Sequence, residues 1–118
     1  MVTIGERLKQ AILLALGDKE ILRIMDAVML KARAVNDIIL ETRTPHTTAY
    51  RKVNWLLENN LLAVEKITIT PDGKKSSFVR TTWRSFNVKY EHNLVFVEGE
   101  KNFNPFVRTA ADFFSIGE

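Results

Sequence analysis

Residues 44–59, TPHTTAYRKVNWLLEN, decide how the rest of the chain is read. Ala49, Val53, Leu56 and Leu57 recur at helical spacing and line one face, with Tyr50 at its edge. Thr47, Arg51, Asn54 and Glu58 line the opposite face, flanked by Thr48 and Trp55. The pattern predicts a helix over 45–59. Thr44 suits its N-cap, and Pro45 suits its first position, where a missing N–H has no intrahelical partner to lose. The Asn59–Asn60 pair ends it, because asparagine tolerates left-handed backbone.

Upstream, a short helix at about 34–41 turns Val35, Ile38 and Ile39 inward, and Thr42–Arg43–Thr44 connects it to the long one. Before it, 19–30 places Ile21, Ile24, Met25, Val28 and Met29 on one broad side behind an Asp18 N-cap. Residues 4–16 repeat Ile4, Leu8, Ile12 and Ala15 at helical spacing until Gly17. Two such wide apolar faces leave burial in the monomer and oligomerisation both open.

Downstream the period changes to two. Leu61, Ala63, Glu65, Ile67 and Ile69 alternate with Leu62, Val64, Lys66, Thr68 and Thr70, a strand with one apolar and one mixed side. Pro71–Asp72–Gly73 is a hairpin turn, proline fixing φ and glycine accepting positive φ. The return strand is expected at 76–84, and a second pair at 86–90 and 94–97 joined through Glu91–His92–Asn93. From Gly99 the tail has chain breakers, yet Phe103, Phe106, Val107, Phe113, Phe114 and Ile116 make it apolar enough to dock on the body or on a partner.

The chain has 118 residues, 46% of them hydrophobic and 26% charged, the balance of one globular domain. The net charge of +3 is small, but it is unevenly placed: 0 over residues 1–30, +5 over 31–84 and −2 over 85–118. An electrostatic footprint on phosphate would lie in the middle third. Without cysteine there is no disulfide and no thiolate metal site. The apolar runs are too short for a membrane span, and Glu6 and Lys9 interrupt the region where a signal peptide would have its apolar stretch. A soluble, cytoplasmic protein is expected. Two histidines and scattered carboxylates form no triad, metal cluster or phosphate-cradling loop, so no enzyme, metal or cofactor is expected.

A major groove admits one helix, provided that another fixes its approach. The outward face at Thr47, Thr48, Arg51 and Asn54 carries suitable base-reading chemistry: arginine can bridge guanine O6 and N7, asparagine can pair with adenine N6 and N7, and threonine offers a hydroxyl and a methyl. Lys31, Arg33, Arg43, His46 and Lys52 would contact phosphate. On the hairpin Lys66, Lys74, Lys75, Arg80 and Arg84 would do the same from the flank.

Residues 18–84 resemble an archaeal-type winged helix-turn-helix of the broad ArsR-like and MarR-like class of transcription regulators. The likeness is carried by Ile38–Ile39–Leu40–Glu41–Thr42–Arg43–Thr44–Pro45–His46–Thr47–Thr48–Ala49–Tyr50–Arg51–Lys52–Val53 and by Leu56–Leu57–Glu58–Asn59–Asn60–Leu61–Leu62. It implies an α+β fold in which 45–59 enters the major groove, the 66–80 hairpin is the wing, and flanking helices form a homodimer. The chain then divides into an N-terminal dimerisation helix (1–17), a DNA-binding core (18–84), and a β-hairpin with C-terminal extension (85–118). Ile4, Leu8, Ile12, Phe106, Phe113 and Phe114 are the candidate dimer contacts. Two positions depart from the family: its turn usually has glycine where Arg43 stands, and often a larger aliphatic residue at Thr44. Arg43 would strain the turn if positive φ is required there. The family's metal sensing does not carry over, for want of cysteine ligands.

The function expected is sequence-specific binding of double-stranded DNA by a homodimeric regulator. The alternative is a winged-helix protein-interaction module in a transcription or replication assembly, capturing its partner through the tail. A fainter one is structured or single-stranded nucleic acid stacked on Trp55 or Tyr50.

Overall fold

Across residues 2–102, which the computed structural model describes, the order is β1 (Val2–Thr3), α1 (Glu6–Leu16), α2 (Lys19–Ala27), β2 (Arg33–Ala34), α3 (Val35–Thr42), α4 (His46–Glu58), β3 (Leu62–Ile69), β4 (Lys75–Thr81), β5 (Trp83–Glu91) and β6 (Leu94–Lys101). The helices pack in sequence, α1 on α2, α2 on α3 and α4, and α3 on α4, while α4 rests on β3. Two antiparallel sheets follow, ordered β2-β4-β3 and β1-β6-β5. This is an α+β winged helix-turn-helix, with β3–β4 as the wing.

Local chemistry fixes the helix ends. Asp18 Oδ1 accepts the Glu20 and Ile21 amides at 2.9 and 3.1 Å, capping α2. Asn60 is left-handed at φ 59°, and the Leu61 amide reaches back to the Leu56 carbonyl at 2.9 Å, closing α4 as its asparagines predict. One apolar core takes Ile12 from α1, Ile24 and Val28 from α2 and its cap, Ile38 from α3, Val53 and Leu56 from α4, then Leu61, Val79, Trp83 and Val97. Burying a side chain of this size contributes about 1.5–3 kcal/mol. Because α1 and β6 join this core, the boundaries expected at 17 and 84 do not separate independent cores. Ile4 and Ile12 are buried and Leu8 packs half-buried against the same cluster. These three hold the monomer together, contrary to the dimer contacts expected of them.

Other elements also differ from expectation. The first helix starts at Glu6 rather than residue 4, since β1 pairs with β6. The second stops at Ala27 rather than 30. The C-cap and the residue after it have distant partners: Val28 O accepts the Thr81 amide at 3.2 Å, and Met29 O accepts Asn102 Nδ2 at 2.8 Å. The return strand breaks at Thr82, so Trp83 opens β5 in the second sheet. Asn102 ties this junction, donating also to the Thr81 Oγ1 and carbonyl at 2.9 and 3.1 Å. The alternation in β3 does not bury its apolar side. A bulge between Val64 and Lys66 interrupts the register, and Ile67 and Ile69 are exposed because no second layer covers the outer wing. The β5–β6 hairpin turns through His92 and Asn93, both at positive φ (52° and 63°), as a two-residue primed turn requires.

Candidate nucleic-acid interface

The approach of α4 is set by the turn before it. Arg43 is left-handed (φ 57°, ψ 29°), the conformation for which glycine is the usual choice, and its amide closes α3 on the Ile39 carbonyl at 2.8 Å. Thr44 does not cap α4. Its side chain is buried and its Oγ1 lies 2.9 Å from Thr42 Oγ1, which is itself 2.7 Å from the Ile38 carbonyl. Pro45 is the N-cap, with its carbonyl accepting the Ala49 amide at 2.8 Å, and no side chain caps this terminus. The α4 N-terminus therefore presents backbone donors, which favours anionic groups.

Ala49, Val53 and Leu56 bury the inner face of α4. His46, Thr47, Arg51 and Asn54 are exposed and Thr48 is half-buried, so the proposed reading residues remain on the outer surface. Sequence reasoning placed Tyr50 at the edge of the apolar stripe and offered it, more faintly, as a base-stacking ring. In the fold its hydroxyl donates to Asn36 Oδ1 of α3 at 3.3 Å, and its ring lies 4.7 Å from that of His46. The i, i+4 spacing of His46 and Tyr50 is the signal that could have joined these two rings. Trp55 is half-buried against the core, and so is unsuited to stacking on a base.

The cations fall into two groups. Lys52 Nζ contacts Asp18 Oδ2 at 2.6 Å and Glu20 Oε1 at 3.0 Å, with its side chain only 14% exposed. That triad bolts α4 to the start of α2. The hydrogen bond from Lys52 holds the Asp18 carboxyl below its ordinary range, outweighing burial, and Asp18 in turn holds the lysine ammonium above its own. Lys52 is a structural cation, not a phosphate contact. Arg33 is likewise committed, its Nη1 2.8 Å from Glu41 Oε2. Arg80 reaches Met29 O and Asn102 Oδ1, both at 3.4 Å, and helps hold the junction of the two sheets. Lys66 extends over the Phe78 ring with its Nζ 4.6 Å from the centroid, and Arg84 lies 3.9 Å from Glu100 across the second sheet.

Lys31, Arg43, Arg51 and Lys75 have no carboxylate partner among the described residues. Lys74 is 83% exposed and only 4.0 Å from Asp72, too loose and wet a pair to neutralise it. The wing tip is ordered by Thr70, whose hydroxyl bonds the Asp72 carboxylate and also receives the Lys74 amide at 3.1 Å. It turns back beside α4. Asn36, Tyr50 and Asn54 on one wall, and Thr70, Lys74, Lys75, Ser76 and Ser77 on the other, line a cleft of about 400 Å³. No carboxylate lines it.

Comparison with known structures finds a neighbour of related outline. It is the solution NMR structure of a homodimeric winged helix-turn-helix DNA-binding domain from Mycobacterium bovis, described as a possible ArsR-family transcriptional regulator. The two share 24% identity at a TM-score of 0.45, over 69% of this chain and 75% of that one. No family model matches the chain, and no curated protein sequence does.

Among the described residues no helix is long and apolar enough to cross a membrane, and no group of three or more His, Cys, Asp or Glu side chains could hold a metal ion. Phe106, Phe113 and Phe114, with the tail expected to take a protein partner, lie outside the described residues.

Proposed function

We propose that this chain binds double-stranded DNA sequence-specifically, as a homodimeric transcriptional regulator. The reading rests on the cleft between α4 and the wing. Tyr50 and Asn54 flank its apolar floor of Val53 and Leu57 on the helix side, Lys74 and Lys75 stand on the strand side, and no carboxylate lines it, which suits a helix in the major groove with the flanking phosphate strand against the wing. Thr47, Thr48, Arg51 and Asn54 read bases. Lys31, Arg43, His46, Lys66, Lys74 and Lys75 hold phosphate; of these Lys31, Arg43 and Lys75 have no carboxylate partner among the described residues. Two-fold symmetry gives a pseudo-palindromic site with half-site centres about 34–36 Å apart, or a multiple of that.

Selection of bound fragments from a genomic duplex library supplies the site, and titration against cognate and scrambled duplexes at several salt concentrations tests the roles. Arg51→Ala lowers discrimination by about 1–3 kcal/mol. Lys75→Ala weakens all duplexes alike and reduces the salt slope by roughly 1. Equal losses on both duplexes for Arg51→Ala would remove the base-reading role, and the absence of any enriched duplex would refute the function.

A further inference from the structure

The two outer edges of the sheet β1-β6-β5 are treated differently. On one side Val2 and Thr3 pair with Gly99 and Glu98, and beyond them Lys9 Nζ donates to the Val95 carbonyl at 3.2 Å. That side of β6 is covered in part. On the other side β5 has no strand beside it among the described residues. A bare edge presents N–H and C=O groups to any incoming strand, and chains usually blunt it with proline, charge or a bulge. From Ser85 to Glu91 β5 has no proline and pairs with β6 in unbroken register. Its charges, Lys89 and Glu91, neutralise each other at 3.0 Å.

The side chains of this edge are also uncovered. Phe86 packs on the core, but Val88 and Tyr90, on the same face of the strand, are 43% and 71% exposed. The apolar stripe of β5 thus runs beyond the body of its own protomer. An open backbone edge and an uncovered apolar row on one strand are independent observations, and a second strand of like pattern satisfies both.

We propose that this strand is supplied by a second copy of the chain: β5 of one protomer pairs antiparallel with β5 of its partner about Val88. The proposal rests on the homodimer reading above and names its interface. A two-fold axis through Val88 sets Phe86 opposite the partner's Tyr90 and Val88 opposite the partner's Val88, joining the apolar rows. On the other face Asn87 meets the partner's Lys89, and Ser85 meets the partner's Glu91, so no like charges are opposed. Moving the axis one residue to Lys89 would oppose two ammonium groups. The self-complementary register selects the second copy over a foreign strand, and the result is a continuous six-stranded sheet, an ordinary size.

The test is sedimentation of the full chain across a concentration series, with circular dichroism to verify the fold. Val88→Lys opposes two lysines at the axis and raises the dimer Kd about tenfold or more, whereas Leu14→Lys, on the exposed side of α1, leaves it unchanged. The chain has no cysteine of its own, so Val88→Cys forms a covalent dimer on mild oxidation. Tyr90→Cys does not, because its symmetry mate lies several residues along the paired strand, beyond disulfide reach. A monomeric wild type, a dimer insensitive to Val88→Lys, or equal crosslinking by both cysteine variants would overturn the proposal. The DNA reading fails separately: a dimer weakened by Val88→Lys that binds no duplex leaves this interface standing and removes the regulator.

Discussion

Replacing Lys52 with methionine separates the two roles that a cation on α4 can have. Methionine keeps most of the stem and removes the ammonium, so packing is preserved while the contacts with Asp18 and Glu20 are lost. Side-chain exposures of 14% for Lys52 and 30% for Asp18 place the pair between two reference cases. An exposed ion pair contributes about 0–1 kcal/mol and a hydrogen bond to a charged group about 1.5–3 kcal/mol. The expected loss is about 1–2 kcal/mol, with a Tm lowered by roughly 4–8 °C per kcal/mol in a domain of about this size. Asp18 keeps its capping bonds to the Glu20 and Ile21 amides, so α2 loses its tie to α4 and not its start.

The pH dependence gives this prediction its signature. Asp18 has a native pKa lowered chiefly by the Lys52 hydrogen bond, so its contribution is present above the unfolded value near pH 4 and lost as pH falls through the lower native value. Lys52 has a native pKa raised chiefly by Asp18. Its contribution is complete below the unfolded value near 10.4 and lost as pH rises through the native one. Urea melts of wild type and Lys52→Met should differ by a constant amount from about pH 5 to 9, with the gap closing on both sides. DNA titrations well below the Tm should show an unchanged salt slope. If Lys52→Met is as stable as wild type and its slope falls by about 1, the lysine belongs to phosphate and the structural assignment is wrong.

Two further substitutions follow from the backbone. Arg43→Gly removes a left-handed cost of about 1–2 kcal/mol, partly offset by about 0.5–1 kcal/mol of added freedom in the unfolded chain, so stability should hold or rise slightly while all duplexes bind more weakly; a stability loss above experimental error in urea melts would contradict it. Gly99→Ala would put a Cβ 2.6 Å from Trp83 Cε3 and 3.1 Å from Ile4 Cδ1. Since both neighbours are buried, it should lower stability by about 1–3 kcal/mol, and an unchanged Tm would show that Trp83 yields easily.

How much could be read in advance depended on the range of the interaction involved. The inner face of α4, its asparagine stop and the turn at residues 71–73 are local, and each was legible from spacing and residue type. Lys52 was not, because Asp18 and Glu20 lie more than thirty residues away in sequence and nothing around Lys52 announces them. The end of α2 failed for the same reason, because Thr81 and Asn102 hold the Val28 and Met29 carbonyls from far along the chain. Ile67 and Ile69 failed differently: strict alternation implies a buried face only if a second layer exists to cover it, and the outer wing has none. Thr44 and Pro45 were one residue out, since the Thr42 hydroxyl takes the group that would otherwise have capped α4.

That last shift bears on how the turn can serve the proposed function. With Thr44 turned inward against Thr42, no side chain occupies the α4 N-terminus, and its backbone donors remain for a ligand. Arg43, immediately before it, keeps an exposed cation in a conformation that glycine would adopt at lower steric cost. Each feature alone forgoes some stability, one a cap and the other an unstrained turn. Both leave the same three-residue connection better suited to an anion than a well-capped, glycine-containing turn would be. Under the proposed function local stability and phosphate binding would oppose each other here, and Arg43→Gly separates them: if the turn is tuned for packing alone, the substitution leaves duplex affinity unchanged, and if it is tuned for phosphate, affinity falls without any fall in Tm.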